Sequence, residues 1–208
     1  MIAERLNELR DRAHAMAKEK GWHETEHSDE HWLMLVITEV AEAVEAYRDP
    51  TDSYHRDSNP FAPWFENPSW RRCPQCGCDP VMMRDGSERY TCCADLHEIG
   101  GKPCGVGSEL ADVVIRMLDL SGLRRVEFQF YHLASARLGI DMTPDSTFVE
   151  RMARLSLATL DPVGATFREI IVGVDVICEH YGIDLWAEVE IKTAFNATRA
   201  RRHGNKLA

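Results

Sequence analysis

A chain of 208 residues with 44% apolar and 28% charged residues has the composition of a globular protein that can bury one sizeable core. No apolar run approaches the roughly 20 residues that span a bilayer, and the first residues carry no signal-peptide apolar region, so a soluble, cytoplasmic protein without a membrane partner is expected. A net charge of −10 argues against nucleic acid as the main ligand, since such binding needs a basic face, but it is compatible with a small phosphorylated ligand held through a divalent ion.

The first predicted element is a helix with Ile2, Leu6, Leu9, Ala13 and Met16 on one stripe, ended near Gly21. Ser28 is a candidate N-cap for a second helix over 29–48, which stops before Pro50. Its Leu33, Val36, Ile37, Val40, Val44 and Tyr47 share a face. From 51 to 107 proline, glycine, aromatics and cysteines replace helical periodicity, which marks an insertion. Ser108 is the candidate cap of a third helix over 109–123. Amphipathic stretches follow over 148–160 and 166–180, the first inside a helical insertion spanning 122–165, and a last helix covers about 184–201. The expected fold is an all-α bundle of five or six helices forming one domain over 1–208.

Two carboxylate pairs stand out. Glu39-Val40-Ala41-Glu42 lies inside the second helix and Glu109-Leu110-Ala111-Asp112 opens the third. Residues three apart on a helix project together, so two such helices side by side would gather four carboxylates in a small volume. Like charges at that spacing call for a cation, and oxygen-only ligation suits magnesium or manganese better than zinc. A solvated helix face is the competing reading of either pair alone. Glu39 and Glu42, however, share their face with Trp32, Leu35, Ala43 and Ala46, with no Lys or Arg nearby in sequence. The last helix carries the opposite charge: Lys192, Asn196 and Arg199 follow i, i+4, i+7 spacing, a stripe able to bind phosphate oxygens and a sugar or base.

Six of the seven cysteines cluster in the insertion. Cys73-Pro74-Gln75-Cys76-Gly77 has the form of a zinc knuckle, and Cys92 and Cys104 are chosen to complete a tetrahedral site, with Cys93 and His97 as substitutes. Clustering of this kind favours metal ligation over disulfides, and four thiolates would leave no position for water, so this zinc would be structural. The lone histidines His14, His132 and His180 read as packing or surface residues.

Taken in order, these motifs resemble the MazG-like all-α nucleoside triphosphate pyrophosphohydrolases. The resemblance rests on Ala17-Lys18-Glu19-Lys20-Gly21-Trp22, on the two acidic motifs, and on Gly182-Ile183-Asp184-Leu185 leading to Lys192, Asn196, Arg199 and His203-Gly204. It covers roughly half the chain and is similar to the phage-type members, whose setting is the host cytoplasm. It implies a homodimeric or homotetrameric helical bundle that hydrolyses a (deoxy)nucleoside triphosphate to the monophosphate and pyrophosphate, in nucleotide-pool control. Glu39, Glu42, Glu109 and Asp112 would hold catalytic magnesium, and Lys192, Asn196, Arg199 and His203 would contact the nucleotide. The chain departs from the pattern at Thr38, where many members carry another glutamate, and in its two insertions. Two alternatives are kept. One is a non-catalytic oligomeric scaffold whose zinc knuckle binds nucleic acid or protein; the other is a dUTP-type diphosphatase on the same bundle.

Overall fold

A computed structural model describes residues 3–48, 60–61, 64–66, 81–82, 88–90, 102–129, 140, 142–161 and 166–202. Six α-helices make up most of this: α1 (Ala3–Glu19), α2 (Asp29–Arg48), α3 (Val106–Leu123), α4 (Phe148–Leu160), α5 (Phe167–His180) and α6 (Leu185–Thr198). The mostly helical architecture expected from periodicity is therefore observed, and the bounds of α2 and α4 coincide with those read from the sequence. None of these helices is long and apolar enough to cross a membrane.

The organising element is α3. Val106, Leu110, Ala111, Val113, Val114, Met117 and Leu118 are all essentially inaccessible, and α1, α2, α5 and α6 pack around them. A helix apolar on nearly every side belongs in the middle of a bundle. Burial of each large aliphatic side chain contributes about 1.5–3 kcal/mol.

Leu6, Leu9, Ala13 and Ala17 form the buried stripe of α1, and Val36, Val40 and Ala43 that of α2. Gly21, at φ +81°, ends the first element in the left-handed region. Thr147 with Glu150 and Thr166 with Glu169 build reciprocal capping boxes at the starts of α4 and α5. Asp184 caps α6 by accepting from the Ala187 amide at 3.1 Å.

One expected cap is corrected. The third helix begins at Val106 with Gly105 as its cap residue, and Ser108 lies inside its first turn. Gly105, at φ +95°, takes a conformation that a bulkier residue resists and turns the chain directly from strand to helix. That frees the Ser108 hydroxyl to donate to the Pro103 carbonyl at 2.9 Å.

Within 51–107 the described residues include four short strands, β1 (Trp64–Glu66), β2 (Val81–Met82), β3 (Glu88–Tyr90) and β4 (Lys102–Cys104). They form one antiparallel sheet in the order β2-β3-β1-β4, with Trp64 opposite Cys104 and Phe65 opposite Tyr90. The β4 strand contacts both α3 and α6. Cys73, Cys76, Cys92, Cys93 and His97 lie outside the described residues; Cys104 is buried on β4.

Candidate functional site

The charged residues of α3 fall on one line. Glu109, Asp112, Arg116 and Asp119 are spaced three, four and three apart, which keeps them on one side of the helix. That side faces a cavity of about 400 Å³ between α1, α2, α3 and α6. Glu39 and Glu42 reach it from α2; Lys192, Asn196 and Arg199 reach it from α6. Both carboxylate pairs and the α6 stripe therefore meet within one chain.

Carboxylate oxygens of Glu39, Glu109 and Asp112 lie within 4.8 Å of one another. Glu42 lines the same cavity but is exposed and stands outside this trio. Glu39 and Glu109 are 5% and 9% exposed, and burial pushes both carboxyls up, Glu109 to about 7. The neighbouring carboxylates add to that rise. For Glu39 the Arg116 guanidinium opposes it, and for Glu109 the Lys192 ammonium does.

These two cations come from different elements. Arg116 Nε donates to Glu39 Oε1 at 2.6 Å. Lys192 Nζ stands 3.0 Å from Asp112 and 3.7 Å from Glu109. It also donates to Ser108 Oγ at 2.8 Å, so the Pro103 carbonyl, Ser108 and Lys192 form a chain that fixes the ammonium. Burial lowers the Lys192 pKa, but Asp112 and Glu109 outweigh it and the net shift is upward. Asn196 Nδ2 donates to Asp112 Oδ1 at 3.3 Å.

Arg199 is half-buried at the end of α6, its guanidinium over the Phe195 ring at 5.8 Å. Lys20 holds that helix end by donating to the carbonyls of Ala197 at 2.6 Å and Arg199 at 2.8 Å. His203 lies outside the described residues.

One expectation changes here: Glu39 lacks a cationic neighbour in sequence, yet it is paired in space by Arg116. On α6, Lys192 and Asn196 are buried, at 3% and 7% exposure. Arg116 escaped the sequence reading, and Ser108 was read only as a helix cap, not as the partner of Lys192. Arg116 had a signal, since it stands four residues beyond Asp112 on the same helical face. No family model, no curated protein and no solved structure matches the chain.

Proposed function

We propose that the chain is a magnesium-dependent nucleoside triphosphate pyrophosphohydrolase of MazG-like type. One observation carries the reading: five acidic and five basic side chains line the same cavity, with Glu39, Glu42, Glu109 and Asp112 on α2 and α3, Lys192 on α6 and Arg199 just past the end of α6. A metal–triphosphate ligand needs oxygen ligands for its cation beside nitrogen donors for its phosphates. The volume also falls within the usual range for small-ligand sites.

The donor set fits a hard divalent ion. Three carboxylates from two helices converge without sulfur or imidazole, and two of them are buried with raised pKa values that a cation would relieve. Glu39, Glu109 and Asp112 would hold magnesium, with Glu42 at the rim of the set. Magnesium there would neutralise triphosphate charge and polarise the phosphorus–oxygen bonds. Lys192, relieved of Asp112, would donate to a phosphate oxygen, and Arg199 would stabilise charge that develops on the phosphates. Asn196 would bond the nucleotide sugar or base. Glu42, exposed and outside the converged trio, is the carboxylate left to take a proton from the attacking water. By the same resemblance the water attacks the α-phosphorus, releasing monophosphate and pyrophosphate, and the protein assembles as a homodimer or homotetramer. A structural zinc in the cysteine-rich insertion completes the proposal.

The test is a panel of (deoxy)nucleoside triphosphates with magnesium and identification of both products, repeated with Glu39→Gln and Asp112→Asn. Turnover to monophosphate and pyrophosphate that falls by about 100-fold or more in either variant is expected. Absence of turnover across the panel, with no magnesium effect on thermal stability, would favour the non-catalytic scaffold. Turnover confined to dUTP would favour the narrower diphosphatase.

A further inference from the structure

At the other end of the same face of α3 stands a group that the pyrophosphohydrolase reading does not use. Asp119 lies seven residues beyond Asp112, about 10 Å along the helix. His14 approaches it from α1, and His23 from the connection between α1 and α2. His14 Nδ1 is 2.9 Å from Asp119 Oδ1; His23 Nε2 is 2.8 Å from Oδ1 and 3.0 Å from Oδ2. One ligand atom from each of the three residues lies within 4.8 Å of the others. Among the described residues the ion-pair partners of Asp119 are these two imidazoles.

The surroundings fix the donors. A Cβ on Gly122 would come within 2.6 Å of His14 Cβ, so glycine at this position is what lets α1 bring His14 against α3 one turn after Asp119. The His23 ring packs on Trp32 with centroids 5.1 Å apart, and the two imidazoles are 5.0 Å apart. All three side chains are largely buried, at 22%, 10% and 15% exposure for His14, His23 and Asp119. Asp119 opens onto the cavity described above.

We propose that His14, His23 and Asp119 form a second cation site, specific for a borderline transition ion of the zinc class. Two imidazole nitrogens and one carboxylate are a donor set that zinc, cobalt and iron(II) accept and that magnesium does not select. Metal–ligand bonds of about 2.0–2.1 Å in tetrahedral geometry separate the donors by roughly 3.3 Å. The His14–Asp119 and His23–Asp119 spacings are a few tenths of an ångström shorter, so those side chains need only draw back slightly for an ion to replace the hydrogen bonds between them. Three protein donors would leave a position open, and of the three Asp119 borders the cavity. The site differs in chemistry from both the oxygen-only cluster and the cysteine insertion, and it does not depend on whether the protein hydrolyses nucleotides.

Cobalt is the probe. The full chain is stripped with chelator, given excess magnesium to occupy the carboxylate cluster, and titrated with cobalt(II) in equilibrium dialysis. The wild type is expected to hold one more cobalt per chain than His23→Gln or Asp119→Asn. That extra ion should add visible absorption without a thiolate charge-transfer band, which separates it from any ion in the insertion. Circular dichroism identifies a variant that has lost its helices, and the other variant then decides. Equal cobalt stoichiometry in the wild type and a folded variant overturns the proposal and leaves a hydrogen-bonded His–Asp–His cluster in its place. A negative result here leaves the magnesium-dependent hydrolysis assay unaffected, so the two readings fail separately.

Discussion

Lys192 lies within α6 and Arg199 is the residue that follows the helix end, and the two have different electrostatic settings. Lys192 is buried against two carboxylates, whereas Arg199 is half-buried, and burial lowers its pKa despite the nearby acids. Removing a cation from a buried pair leaves uncompensated charge and costs about 3–5 kcal/mol. Lys192→Met should therefore lower stability by that order in chelator; if the proposed magnesium binds here, it would take over the neutralising role and restore much of the loss. Urea unfolding in each buffer reads this directly; a variant as stable as the wild type in chelator would mean that Asp112 and Glu109 do not feel the ammonium. Arg199→Ala should leave unfolding nearly unchanged. If Arg199 contacts phosphate, a charge-assisted bond of about 1.5–3 kcal/mol implies a loss in kcat/KM of roughly 10- to 150-fold. Steady-state kinetics with the best substrate of the panel checks it.

Among the elements, α6 carries a buried acid that no proposed chemistry needs. Glu188, in its first turn, is 6% exposed. Burial raises its pKa to about 7, Lys192 opposes that rise, and Asp184 adds to it. Its Cγ would stand 3.1 Å from a Cβ on Gly107, so the carboxyl is wedged where α6 meets the start of α3. A carboxyl with a higher pKa folded than unfolded binds more protons in the native state between those two values. Its contribution to stability is complete below about 4.5, the ordinary value, and is lost as pH rises through about 7. Glu188→Gln should flatten this fall. Thermal melts of both proteins in chelator between pH 4.5 and 8 test the sign, and a variant with an unchanged slope would assign the dependence elsewhere. The same crossing explains the mistaken cap: Ser108 was read as a local N-cap, but its hydroxyl is committed to β4 and to Lys192.

Across the whole molecule, β4 connects the cysteine-rich insertion to the cavity. It contacts α3 and α6, ends at buried Cys104, and its Lys102 lines the cavity. A zinc held by Cys73, Cys76, Cys92 and Cys104 would therefore anchor the strand whose Pro103 carbonyl holds Ser108. Protein purified in reducing buffer without chelator should carry one zinc in the insertion, absent from the Cys73→Ser, Cys76→Ser double variant. That variant should also show a lower thermal midpoint, because structural zinc contributes directly to folding. Elemental analysis that finds equal zinc in both proteins would refute the thiolate site.

The helices were legible in the sequence because periodicity and caps act over a few residues. The stripe of Leu6, Leu9 and Ala13, the spacing in Glu39-Val40-Ala41-Glu42 and the Thr166–Glu169 box each need only one turn of backbone to take effect. Sequence spacing also placed each carboxylate pair on a single helical face, and Lys192, Asn196 and Arg199 together on another. What tertiary structure alone decided is which faces meet and who neutralises whom. Arg116 answers Glu39 across 77 positions, Lys192 answers Asp112 across 80, and His14 reaches Asp119 across 105. Such pairings depend on the close approach of separate helices, set by small residues such as Gly122 and by burial of α3 on nearly every side. Burial then reverses the simplest expectation for charged residues, because an ionised group inside a bundle is stable only with a partner, and the partner is chosen by packing.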